Sequence, residues 1–166
     1  MLQLHDLLMT IAQVAATFAG FSGIIGVYRR GVSLADSEMG ALQVRGVAEM
    51  SVTVTGLALL PFMPDAFGIA EGLSWRLCSG VFSAALIHGF VTAMRRVRVA
   101  TGQAAATADP LLLGVTQIVN IAVHLLLWTN ILGIAPNTAA SRYALALVLM
   151  LGVACFMFVR LLTPRE

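Results

Sequence analysis

Apolar residues occupy this chain in long blocks, and the charged residues gather between the blocks. The first block, residues 7–28 (LLMTIAQVAATFAGFSGIIGVY), runs 22 residues without a charge and is long enough to cross a hydrocarbon core as one helix. Four blocks of similar length follow. Five membrane spans are therefore predicted, near 7–28, 44–64, 75–94, 111–132 and 142–161. On a helical wheel the first span divides by size. Ala12, Ala15, Ala16, Ala19, Gly20, Ser22, Gly23 and Gly26 fall on one side, and Val14, Phe18, Phe21, Ile24 and Ile25 on the other. Small residues along one face let a neighbouring backbone approach closely, so this helix is expected to be the packing spine of the bundle.

The connections carry the punctuation of helix ends. Ser33, with Asp36 three residues on, marks a helix start, which puts the beginning of the second helix near Leu34, outside the membrane. Pro61 and Pro64 mark its far end, and residues 65–74 read as a turn. Residues 95–110 (RRVRVATGQAAATADP) are a linker of small residues with a basic start, closed by Pro110 in the first turn of the next helix. Gly133, Pro136 and Asn137 give the last turn. No internal repeat is evident, so an inverted-repeat transporter has no support. Span five has no strongly polar residue between Tyr143 and Val159, and is expected to face lipid.

Composition agrees with the pattern. Hydrophobic residues make up 59% and charged residues 11% of the chain. Mean hydropathy is +0.91, which leaves too little polar surface to cover a water-soluble globule. The 166 residues fit one domain, an all-α integral membrane bundle over residues 1–166 with the lipid bilayer as its surroundings. The opening MLQLHD has no basic stretch, so the N-terminal block is expected to be a span and not a cleaved signal. The net charge of +2, with no basic run longer than Arg95-Arg96-Val97-Arg98, argues against a nucleic-acid partner. Cys78 and Cys155 lie inside apolar blocks, where a disulfide framework is not expected.

All ten basic residues are Arg, and they are unevenly placed. Arg29, Arg30, Arg45, Arg95, Arg96, Arg98, Arg160 and Arg165 share one side of the predicted topology, and only Arg76 and Arg142 fall on the other. The bias places the C-terminus in the cytoplasm and the N-terminus outside. Trp75, Trp128 and Tyr143 read as anchors at the outer interface and Tyr28 as one at the inner. The first span with its VAATFAGFSGII, the Arg pair after it, and a second span entered through Arg45-x-x-x-Glu49 together resemble a group of small bacterial inner-membrane proteins. The resemblance covers residues 10–60. It implies a multi-pass protein of the bacterial inner membrane, and no chemistry.

Polar side chains inside spans are expensive and therefore mark candidate sites. Glu49 lies about 8 Å inside span two, with Arg45 and Thr53 one turn to either side. It reads either as half of an anchoring ion pair or as a group handling ions or protons. His88 in span three, with Thr92 one turn on, lies at a similar depth and reads as a satisfied core histidine or as Glu49's titrating partner. Gln117, Asn120 and His124 in span four fall within an arc of about 60°, so this stripe must face protein or water. Gln13 and Thr17 flank the small face of span one. Taken by depth, Glu49, His88, Gln117, Asn120, His124 and Gln13 form a possible ladder across the bilayer, the alternative being that they are hydrogen-bonding glue between helices.

Motifs for acyl transfer, metalloprotease, dithiol or nucleotide chemistry are absent from the sequence, so no enzyme, metal or cofactor is expected. His88 and His124 lie about 10 Å apart in depth, which disfavours a shared haem. Five helices are few for enclosing a private aqueous path, so a homo-oligomer is expected, packed through Ala12, Ala16, Ala19, Gly20, Gly23 and Gly26. Two functions stay open. One is a homo-oligomeric channel or transporter for protons, cations or a small polar solute. The other is a non-catalytic membrane subunit that assembles with a partner protein.

Overall fold

The structure, a computed structural model, describes residues 2–29, 34–99 and 110–162. Its elements are α1 (Leu2–Arg29), α2 (Leu34–Leu59), α3 (Phe62–Ala66), α4 (Glu71–Val99), α5 (Pro110–Ile131), a 3-10 turn (Pro136–Thr138) and α6 (Ala139–Leu162). There is no strand among the described residues. Five helices are long and apolar enough to cross a membrane, over Gln3–Val27, Val44–Pro64, Glu71–Arg95, Gly114–Ile131 and Pro136–Arg160. The protein is all-helical, with the five membrane-capable helices the apolar blocks predicted. Arg30, the expected helix start at Ser33, residues 100–109 of the expected linker, and Arg165 lie outside the described residues.

The chain forms two compact units, one of residues 1–60 with 147–166, the other of residues 61–146. In the first, α1 packs along α2. Leu8, Ile11, Ala12, Ala15, Val47, Val54, Leu57 and Ala58 are buried there. The helices come close where α1 is small: a Cβ on Gly26 would lie 3.2 Å from Val44 Cγ1. The Thr55 hydroxyl sits 2.9 Å from the Ser51 carbonyl and 3.5 Å from that of Ala12, reaching from α2 to α1. Phe158, on the late part of α6, meets Phe18 edge to face at 5.4 Å.

The second unit holds α3, α4, α5 and the start of α6. Pro61 ends α2, since it has no N–H to continue the ladder, and the chain makes one further short helix, α3, where a plain turn was predicted. Gly68 closes it at φ 65°, with the Ile69 N–H donating to the Pro64 carbonyl. Tyr143 is fully buried, its ring 5.7 Å from that of Trp75 and 5.5 Å from that of Phe82. It is thus a core residue, not the interface anchor the sequence suggested. Asn130, 2% exposed, ties three segments: its amide donates to Ser79 Oγ on α4 and to the Ala139 carbonyl at the head of α6.

Span five also departs from expectation. Far from being the lipid-facing helix, α6 buries Tyr143, Ala144, Ala146, Leu147, Met150, Val153 and Ala154, and its span has the largest buried share of the five. In a bilayer an apolar helix gains nothing by leaving lipid for protein. The small side chains of Ala144, Ala146 and Ala154 permit close packing, and packing decides.

The α5–α6 corner is a tight device. Gly133 takes φ 71°, its N–H donates to the Asn130 carbonyl, and the Ile134 N–H reaches back to the Thr129 carbonyl, the double closure of a left-handed helix cap. Arg142 donates to the Ile134 carbonyl and to Thr129 Oγ1. The Arg76 guanidinium fills the space where a Cβ on Gly133 would stand. Gly133→Ala is expected to lower stability by about 1–2 kcal/mol from the left-handed backbone alone, read as a lower unfolding temperature of the detergent-solubilised protein. Gly72→Ala, in open space within the first turn of α4, should leave that temperature unchanged or raise it.

Candidate functional site

Pro110 starts α5 with its fixed φ at a position needing no N–H. From there Gln117, Asn120 and His124 recur at helical spacing on one face. The second unit sets that face beside α4, and the two helices border an open groove of about 460 Å³. Ile87 and Phe90 of α4 and Ile121, Leu125 and Trp128 of α5 form its apolar walls, and the three polar side chains line it. The structure therefore gathers Gln117, Asn120 and His124 in one place. His88 is exposed on α4 and does not line the groove.

The hydrogen-bonding state of the groove follows from its geometry. His124 Nδ1 lies 2.9 Å from the Asn120 carbonyl oxygen. A carbonyl only accepts, so Nδ1 is the donor in this contact. The Asn120 side-chain oxygen is buried and takes no hydrogen bond among the described residues. Buried polar atoms of this kind cost free energy until a donor reaches them. Among the described residues no three His, Cys, Asp or Glu side chains converge as a metal ion would need.

The remaining polar positions belong to the first unit. Glu49 Oε1 accepts from Arg45 Nε at 2.7 Å, one turn apart on an exposed face of α2. Thr53 donates to the Glu49 carbonyl. Gln13 and Thr17 are exposed on α1, and the Thr17 hydroxyl donates to the Gln13 carbonyl at 2.8 Å. Of the small residues, Ala12 is buried and Ala19 and Gly26 half-buried, whereas Ala16, Gly20 and Gly23 are exposed, with open space around both of these glycines. Sorting α1 by side-chain size passes over one polar position, Thr10, which extends the row of Gln13 and Thr17 and donates to the Asp6 carbonyl. Its spacing was readable in the sequence.

Compared with protein-family models, with curated proteins and with solved structures, the chain matches none. The function must be argued from the side chains alone.

The Arg45–Glu49 pair lends itself to a double-mutant cycle. Removing one partner near the hydrocarbon leaves a charge without its counter-ion, whereas removing both leaves none. Arg45→Ala alone is expected to destabilise by on the order of 1 kcal/mol more than Arg45→Ala with Glu49→Ala, measured by unfolding in lipid nanodiscs. A double variant that costs as much as Arg45→Ala and Glu49→Ala added together would show that the pair contributes no coupling.

Proposed function

We propose that the protein is a non-catalytic, multi-pass membrane subunit that acts by assembling, with the α4–α5 groove as its docking site for another membrane helix. The observation that carries this reading is the row of Gln117, Asn120 and His124 lining an otherwise apolar groove. Hydrocarbon supplies no hydrogen bonds, so a lipid tail lying in the groove would offer no partner to the polar groups of this row. A helix with polar side chains would satisfy them, and its apolar surface would cover Phe90 and Trp128. Interhelical bonds of this kind contribute about 0.6 kcal/mol each on average, enough when several act together to select a partner and a register.

A conducting or transporting oligomer is the second reading. It is favoured by the run of Gln117, Asn120 and His124 over about 10 Å of helix, long enough to hydrate part of a path shared between copies. The same preparation tests both. Wild-type protein in nanodiscs or mild detergent is expected to run as an oligomer, and Gln117→Leu or Asn120→Leu to shift it toward smaller mass, while Glu49→Gln leaves the mass unchanged. Liposomes holding wild-type protein are expected to be no leakier to protons and monovalent cations than empty ones, at several pH values and under an applied potential. Flux that falls in Glu49→Gln or His124→Asn would overturn the assembly reading in favour of conduction. A wild-type monomer would sink the groove as a self-assembly site.

The Arg distribution supports an orientation with the C-terminus in the cytoplasm. A C-terminal reporter active only in the cytoplasm should be active, and one active only in the periplasm silent. The reverse result would overturn this orientation.

A further inference from the structure

Resting on the assembly reading, we propose that the occupant of the α4–α5 groove is the α1 helix of a second copy of this chain, lying antiparallel to α5, with Gln13 paired to Asn120 and Thr17 to Gln117. Two polar rows face each other in this arrangement. Thr10, Gln13 and Thr17 are all exposed, and on a helix they share one face. Counted from the outer end of α1 they are separated by three and then four residues. Counted from the outer end of α5, His124, Asn120 and Gln117 are separated by four and then three.

Successive spans cross in alternate directions, so the start of α1 and the end of α5 lie at the same membrane surface. From Gln3, the first residue of its span, Thr10, Gln13 and Thr17 lie about 11, 15 and 21 Å deep. From Ile131, the last residue of its span, His124, Asn120 and Gln117 lie about 11, 17 and 21 Å deep. The two rows agree in depth at both ends and differ by one residue's rise, about 1.5 Å, at the middle pair. Copies related by an axis along the membrane normal keep their depths, so the match survives assembly.

The chemistry agrees with the register. Thr17 already donates its proton to the Gln13 carbonyl, which leaves its oxygen as an acceptor for the Gln117 amide N–H. Gln13 and Asn120 are both carboxamides, each with N–H donors and a carbonyl acceptor, so a side chain–side chain hydrogen bond between them is available in this register. The shape agrees as well. Ala16 and Gly20 flank the α1 row and are exposed, and no atom stands within 4 Å of a Cβ built on Gly20. The bulky walls of the groove can therefore come close to the α1 backbone there. Such a contact joins two different surfaces, so each copy gives one helix and receives one.

Cysteine pairing between differently tagged copies tests the register. In a Cys78→Ala, Cys155→Ala background first shown to keep the wild-type oligomer mass, copies carrying Gln13→Cys under one tag are mixed with copies carrying Asn120→Cys under another. Mild oxidation in the membrane is expected to give a band of dimer mass bearing both tags, and so is Thr17→Cys with Gln117→Cys. Thr17→Cys with His124→Cys, about 10 Å apart in depth, should give none. An oligomer in which neither matched pair cross-links would overturn α1 as the occupant, leave the assembly reading standing and point to a different helix. Cross-linking only within one chain, tested by placing both cysteines on a single tagged copy, would also overturn the proposal. As a second variant, Gly20→Leu should lower oligomer mass without lowering the unfolding temperature of the monomer in harsh detergent. If both stay unchanged, the close approach at Gly20 is refuted.

Discussion

Hydrocarbon offers no partner to a hydrogen-bonding group, and every polar side chain in this protein is placed under that constraint. Four hydroxyls meet it locally. Thr10, Thr17, Ser22 and Thr53 each donate to the carbonyl one turn back, so their hydroxyls ask nothing of a neighbouring helix. Arg45 and Glu49 meet it by pairing across one turn of α2. The Asn130 amide nitrogen meets it by bridging Ser79 and Ala139, and so becomes a tie between three segments. Ser51 Oγ, Thr116 Oγ1 and the side-chain oxygens of Asn120 and Asn130 are buried without a hydrogen bond among the described residues, while Gln13 is exposed on α1 and Gln117 lines the groove. A functional surface in such a protein is the set of groups the fold has left for something else to satisfy.

That ordering explains which part of the architecture could be read in advance. The spans follow from length and hydropathy, and the helix ends follow from Pro61, Pro110 and Gly133, whose backbone restrictions act whatever the surroundings. Burial was not legible in the same way. In water an apolar face announces the core, but in a bilayer the outside is apolar too, so the featureless α6 proved one of the most enclosed helices and Tyr143 a core ring. The small face of α1 shows the same limit: its wheel separates large from small, yet Ala12 is buried and Gly20 is open, because one small face can serve two different neighbours.

The candidate site was legible in composition and illegible in arrangement. Gln117, Asn120 and His124 share a face by spacing alone, and the structure lines one groove with them. Their walls could not be foreseen, because Ile87 and Phe90 come from another helix and look like any other apolar residue in it. A ladder assembled by depth treated Glu49 and His88 as neighbours of these groups. Depth fixes only one coordinate of three. His88 proves to lie off the groove, and Glu49 has its counter-ion on its own helix.

The corner between α5 and α6 bears on how the chain enters the membrane at all. Arg142 sits a few residues past that corner, and on the proposed orientation its charge must be carried across the bilayer during biosynthesis. An arginine crossing alone would meet an insertion cost of about 2.5–3.5 kcal/mol at the helix centre. Here the guanidinium already has the Ile134 carbonyl and the Thr129 hydroxyl as partners once the hairpin has closed. The two helices are therefore suited to leave the insertion machinery together, as a prefolded pair that shelters its own cation in transit.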